Sequence, residues 1–155
     1  VLLVKKICEL IESGADFETV VEKAELYSRH THVVFALSSF NNLVKNGRMS
    51  KIVGFVANKL GFWGIGIGSE QGTIEIKQKI RGSKKALDAI IEDMKERGYN
   101  CGKVVISHCR NAEFAESVKS AIQSVWDKAE VKIVRARGLC SYYAEKDNRL
   151  LTKHK

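Results

Sequence analysis

Apolar positions recur along the chain with two periods. Leu2, Leu3, Cys8 and Ile11, interleaved with Lys5, Lys6, Glu9 and Glu12, predict an amphipathic helix closed by Ser13-Gly14. Asp16 caps a second helix to about Arg29, with Glu18 and Glu22 in its early turns and Val20, Val21, Ala24 and Leu26 apolar. The run His32-Val33-Val34-Phe35-Ala36-Leu37 is short, nearly continuous and rich in β-formers, the pattern of a strand buried on both faces. Ser38 or Ser39 then caps a short helix over residues 40–45, ended by Asn46-Gly47, and Ser50 caps another over 51–60, stopped by Gly61. Residues 63–68 and 73–80 flank the loop Ser69-Glu70-Gln71-Gly72, and Ile74, Ile76 and Ile80 alternate with polar residues, which predicts a hairpin.

Ser83 caps a helix over 84–97 whose apolar side is Ala86, Leu87, Ala89, Ile90, Ile91 and Met94, with Gly98 as its stop. Residues 103–108 form another apolar strand, and Asn111 caps a helix carrying Phe114, Ala115, Val118, Ala121, Ile122, Val125 and Trp126. Residues 131–134 alternate as a strand, while 138–155 are less regular. The elements describe one α/β domain of four to six strands with helices packed on the sheet.

A length of 155 residues fits one domain that buries roughly two thirds of its extended surface. The chain opens at Val1 inside an apolar run, and we expect a fragment of a longer protein, with residues 1–30 belonging to a missing first domain or linker. Apolar stretches such as 53–57 and 62–67 fall far short of the roughly 20 residues that cross a bilayer. Lys5 and Lys6 break the first apolar run, so no secretory signal is read, and a cytoplasmic protein without membrane insertion is expected. Cys8, Cys101, Cys109 and Cys140 lie far apart with no C-x-x-C pair; reduced, buried thiols are expected rather than a zinc site. The net charge of +8 favours anionic partners, and with no proline the turns rely on Gly, Asn, Asp and Ser.

Candidate chemistry is sparse. The glycines at 61, 64, 66, 68 and 72 match neither G-x-G-x-x-G nor G-K-[ST] and lead into a strand, where glycine lets a ligand or another backbone approach or marks a bulge. His108 and Cys109 are adjacent in a strand and point to opposite faces, so a capping or core role suits them better than nucleophile and base. His30 and His32 share strand spacing without a third ligand, so no metal is expected. Glu92, Asp93 and Glu96 read as solvated surface; with no catalytic carboxylate pair, neither an enzyme nor a cofactor is expected. Lys77, Lys79, Arg81, Lys84 and Lys85 form a basic cluster. It fits a solvated strand edge, or an anion site at Arg81-Gly82-Ser83, which the similar Arg48 before Ser50 could share.

Phe40-Asn41-Asn42-Leu43-Val44-Lys45-Asn46-Gly47-Arg48-Met49-Ser50, Lys79-Ile80-Arg81-Gly82-Ser83-Lys84-Lys85-Ala86-Leu87 and Val105-Ile106-Ser107-His108 together resemble the DegV family of bacterial fatty-acid-binding proteins. The specific part is Leu-x-x-x-Gly-Arg-x-Ser followed about thirty residues later by Arg-Gly-x-Lys-Lys-Ala. The resemblance implies a two-domain protein with an acyl chain in a tunnel at the domain junction, sometimes presented to a fatty acid kinase. Residues 31–155 then form the second, lipid-binding domain, with a mixed, largely antiparallel sheet. A long-chain fatty acid is the ligand, and nucleic acid is not a partner; the alternative is a basic phosphate-ligand or nucleic-acid module on Arg48 and Arg81, with salt-sensitive binding.

Burying about sixteen carbons at roughly 0.8 kcal/mol per methylene yields on the order of 12 kcal/mol before association costs, so the tail supplies affinity and polar donors orient the carboxylate. Phe35, Phe55, Leu60, Phe62 and Ile65 are expected around the tunnel, with Arg48 and Arg81 at its mouth. The family's Gly-Thr-His stretch is replaced here by Cys140-Ser141-Tyr142-Tyr143-Ala144-Glu145-Lys146. We expect Ser141 and Tyr142 at the head group and, in an extended segment, Tyr143 facing away.

Overall fold

The computed structural model describes residues 1–48, 62–69, 74–144 and 149–154. Helices α1 (Leu2–Glu12) and α2 (Phe17–Arg29) precede β1 (Thr31–Leu37) and α3 (Asn41–Lys45). A hairpin, β2 (Phe62–Gly68) and β3 (Ile74–Arg81), leads to α4 (Ser83–Glu96), β4 (Lys103–His108), α5 (Ala112–Val125) and β5 (Glu130–Arg135). The chain continues through α6 (Gly138–Ala144) to β6 (Arg149–His154). These strands form one six-stranded sheet in the order β3-β2-β1-β6-β4-β5. Every pairing is antiparallel except β4 with β5, which α5 joins as a crossover. The fold is thus a mixed, largely antiparallel α+β sheet. The helix read at 51–60, its Ser50 cap and Gly61 lie outside the described residues, as do Leu60 and Phe55.

Caps fix several boundaries. Asp16 accepts from the Thr19 amide at 2.8 Å, a bond that also holds its carboxyl below the usual range, and Asn111 accepts from the Phe114 amide at 3.4 Å. Two caps differ from expectation. Helix α4 already includes Ser83, and its cap is Gly82 at φ 91°, a left-handed backbone that glycine adopts without strain. Helix α3 has Phe40, not a serine, at its cap position, with no side-chain cap bond there. The tail is regular after all: it supplies α6 and a strand seated between β1 and β4.

Helices α4 and α5 cover one face. Val34, Ala36, Ile65, Val104 and Ile106 from the sheet pack with Ala86, Ile90, Met94, Phe114, Val118 and Ile122 from the helices. Trp63 stacks on Phe114 with ring centroids 5.3 Å apart. Asp93 is not the solvated carboxylate its neighbours imply: only 5% exposed, it meets Lys77 Nζ at 3.1 Å and Arg97 Nε at 3.0 Å. Two cations supply the compensation that a buried carboxylate needs. The hydrogen bond to Asp93 is the chief reason the Lys77 ammonium titrates above its usual range. None of the four thiols is buried: Cys8 and Cys140 are exposed, Cys101 and Cys109 partly so, and all are free.

Tyr99 follows α4, turns its ring edge to Trp126 at 5.0 Å and donates to the Gly102 carbonyl. Burial, with smaller contributions from Cys101 and Glu130, pushes its phenol up to about 12. A raised pKa means that the native state holds the proton longer than the unfolded chain. The associated stability is complete below about pH 10 and is lost as pH rises toward about 12. Tyr99→Phe is expected to remove that part of the alkaline stability loss, read from urea midpoints between pH 9 and about 12; an unchanged profile contradicts it.

Candidate functional site

Strand register gathers the predicted residues at one end of the sheet. Leu37 pairs with Gly64 and Phe62 with Arg81, while Arg149 pairs with both Ala36 and His108, and His108 with Arg135. Helix α3 leaves β1 at this end and α6 leaves β5 there, and the two touch. Asn42 Nδ2 donates to the Tyr142 carbonyl at 2.8 Å, and Asn46 Nδ2 donates to the Tyr142 hydroxyl at 3.0 Å.

Beneath these helices, on the sheet face away from α4 and α5, lies a second apolar cluster of Phe35, Leu37, Phe40 and Leu43, with Ile76 and Tyr143 packed against it. The strand glycines make it possible. A Cβ on Gly64 would lie 2.3 Å from the Phe40 ring, and one on Gly66 would lie 2.2 Å from the Phe35 ring and 2.3 Å from the Glu75 carbonyl. The rings therefore rest directly on bare backbone, and the register shifts between Ile65 and Gly66 as a bulge. Gly68 differs: among the described residues its Cβ position meets only Val33, at 3.9 Å, beside partly buried Ile76.

Strand alternation separates the predicted tunnel set. Phe35 and Phe62 share the Phe40 side by register with Gly66 and Gly64, whereas Ile65 is one residue out of phase and packs into the α4 core. Ile65 is therefore core, not a neighbour of Phe35. Phe35 itself is 4% exposed and floors the cluster, while Phe62 is half-buried at the sheet end.

The polar candidates divide as well. The Arg48 guanidinium lies 6.0 Å from the Tyr143 ring centroid. Arg81 lines a groove between β3 and α4 with Lys85, Asp88 and Glu92. Both arginines occupy the same end of the sheet, but no described contact joins them. Within the basic cluster Lys77 is taken up by Asp93 and Glu96.

Residues 140–143 are helical, so the alternation expected of an extended segment does not hold. Successive helical residues differ by about 100° rather than 180°, and both tyrosines face α3. Tyr143 joins the apolar cluster under Arg48; Tyr142 is about half exposed with its ring 5.4 Å from that of Tyr143. Ser141 donates its hydroxyl to the Gly138 carbonyl at 2.7 Å. His108 accepts the Asn111 amide on Nδ1 at 3.2 Å, the capping role expected of it. Among the described residues no His, Cys, Asp and Glu cluster could hold a metal, and no helix is long and apolar enough to cross a membrane.

Phe40, Leu43, Asn46 and Tyr143 escaped the sequence reading as site residues. Their signal was the Phe40/Leu43 spacing just after a strand, set against two strand glycines that needed a ring to cover them. Away from this end, Val1, Val4 and Ile11 form an exposed apolar stripe on α1, and Phe17 begins α2 at 76% exposed.

A family model described as an uncharacterised protein of the DegV family matches residues 1–148. The DegV domain-containing protein M5005_Spy1391 of Streptococcus pyogenes serotype M1 is 43% identical over 144 residues, 93% of this chain and 51% of the relative. The chain thus spans about half the length of the curated relatives it matches. A DegV family protein from Eubacterium eligens loaded with heptadecanoic acid superposes with a TM-score of 0.96 at 34% identity, over 99% of this chain and 56% of that one. The Streptococcus pneumoniae Fatty Acid Kinase (Fak) B3 protein loaded with linoleic acid gives 0.96 at 38% identity, over 99% and 54%. With residues 1–148 matched and the sheet order and helices superposing over nearly the whole chain, this chain belongs to the DegV family.

Proposed function

We propose that the chain provides one wall of a long-chain fatty-acid site and that the part of its longer relatives it does not match provides the other. The observation that carries this reading is an apolar floor, Phe35, Leu37, Phe40 and Leu43, with partly buried Phe62, Ile76 and Tyr143 beside it and Arg48 over its rim. Two superposing relatives hold heptadecanoic and linoleic acid. The acyl chain runs over Phe62 and Ile76 toward Gly68, where burial of methylenes supplies affinity. Tyr142 donates to the carboxylate, because its oxygen already accepts from Asn46 and its own proton remains to be given; Ser141 lies beside it with its hydroxyl proton given to the Gly138 carbonyl. The role is carriage rather than catalysis.

On this reading residues 1–30 dock against the missing first domain through the exposed stripe of α1 and Phe17, and residues 31–155 form the lipid-binding domain. Arg48 and Arg81 favour the carboxylate and the acyl phosphate that a partner fatty acid kinase makes from it. In the full-length protein, Arg48→Glu and Arg81→Glu are each expected to lower acyl-phosphate formation about tenfold or more while changing palmitate affinity less than about threefold. Turnover equal to wild type in both variants would remove the arginines from the mouth.

A further inference from the structure

Strand β3 does not keep one face. Ile74, Ile76 and Ile80 stand at even spacing, so a regular strand would turn all three to the same side. The structure divides them: Ile80 packs into the α4 core, whereas Ile76 packs on the cluster of Phe35 and Phe40 across the sheet. Register shows where the switch falls. Ile65 pairs with Gln78 and Gly66 with Ile76, which leaves Lys77 as the extra residue of the bulge. Ile76 and Ile74 then lie opposite Gly66 and Gly68 on the acyl side, and Glu75 lies opposite Ile67 on the other.

Without the bulge, the pairing that starts with Phe62 and Arg81 would continue unchanged, setting Gly66 against Lys77 and Gly68 against Glu75. A slip of one residue exchanges the faces: an ammonium and a carboxylate would line the acyl side, and Ile76 would turn toward α4. The slip needs only one more residue in the connection from β2 to β3. Something must therefore select the bulged register, and Asp93 is placed to do so. It stands on α4, 5% exposed, and meets Lys77 Nζ at 3.1 Å, while Arg97 Nε holds the same carboxylate at 3.0 Å. Glu96 also reaches Lys77, at 3.4 Å, but with its side chain 59% exposed that contact is weakened by water. A buried carboxylate is costly without cations beside it, so Asp93 draws Lys77 to the α4 side. Gly66 supplies the room, because the Glu75 carbonyl lies where its Cβ would stand.

We infer that Asp93 is a positioning residue for the acyl site: by holding Lys77 as the bulged residue, it fixes β3 in the register that offers Ile74 and Ile76, rather than Glu75 and Lys77, to the acyl chain. Asp93 acts from the opposite face of the sheet, through Lys77. The ligand half of this inference rests on the fatty-acid reading. The register half stands on the strand pairing and the ion pair alone.

Asp93→Leu in the full-length protein is the discriminating change, because it removes the attraction for Lys77 and offers Ile76 an apolar neighbour instead. Replacing buried ionic groups by apolar ones of similar volume often leaves stability intact, so the variant is expected to fold. Nuclear Overhauser contacts from Gly66, measured without ligand, read the register: to residue 76 in wild type and to residue 77 in Asp93→Leu. Palmitate affinity by calorimetry should fall about tenfold or more, since charged groups then face the acyl chain. Adding Glu75→Val and Lys77→Val to Asp93→Leu makes β3 apolar in either register. Affinity should then return to within about threefold of wild type, a recovery that lost packing alone would not give. Lys77→Met, which leaves Asp93 paired with Arg97, should also show contacts to residue 77 and serves if Asp93→Leu does not fold; Lys77→Arg should keep the wild-type register. Gly66 contacts that stay with residue 76 in the folded variants overturn the lock. A moved register with unchanged affinity, or a triple variant that fails to recover, overturns the link between register and binding. Wild type that binds no palmitate sinks the fatty-acid reading and the ligand half with it, while the Gly66 contacts still decide the register half.

Discussion

Replacing Phe40 by alanine is expected to lower the unfolding free energy by about 3–5 kcal/mol and to release bound fatty acid. Phe40 is fully buried, its ring lies on Gly64, and it is the cap residue from which α3 begins. Truncation leaves a cavity above a strand that has no side chain to fill it, and it frees α3 from the sheet. Helix α3 has only five residues and cannot hold itself together in water, so its grip on α6 through Asn42 and Asn46 should go with it. Urea denaturation of the full-length protein measures the first effect, and fatty-acid content after purification the second. A variant as stable as wild type would mean that the Phe40 cluster does not organise this end of the sheet.

Gly66→Ala is the complementary change, adding an atom where Phe40→Ala removes several. The new methyl meets the Phe35 ring, which can swing, and the Glu75 carbonyl, which cannot move without parting β2 from β3. Overpacking against backbone is expected to cost about 3 kcal/mol, at the upper end for such changes. Gly68→Ala is the internal control: among the described residues its Cβ position meets nothing closer than Val33 at 3.9 Å, so the stability change should stay below about 1 kcal/mol. Equal losses at both positions would show that glycine flexibility, rather than ring contact, sets the requirement.

These two positions show how far the chain could be read unaided. The glycines of β2 were recognisable as places where something approaches closely; that the visitor is an aromatic ring from this same chain depends on register, which the sequence leaves open. Helices α4 and α5 were legible because each presents apolar residues at spacings of three and four over fourteen positions. Strand β6 was not, since Arg149-Leu150-Leu151-Thr152-Lys153-His154 alternates poorly despite its central seat. Reading residues 140–143 as extended imposed a period of two where the chain turns at 3.6, which misplaced Tyr143.

Among the site candidates, Phe35, Phe62, Arg48, Arg81, Ser141 and Tyr142 converge on one end of the sheet, although they are spread over more than a hundred residues of sequence. Ile65 fell on the wrong side because strand neighbours point oppositely, a distinction composition cannot make. Asp93 looked like its solvated neighbours Glu92 and Glu96; only the fold shows that Lys77 reaches it from β3 across the sheet edge.

The central claim is that the intact protein carries a fatty acid. Organic extraction of the full-length protein purified from a bacterial host, followed by mass spectrometry, tests it most directly. The account predicts close to one equivalent of long-chain fatty acid per protein, replaceable by added palmitate; recovery of no acyl species, together with no uptake of added fatty acid by the folded protein, would contradict it.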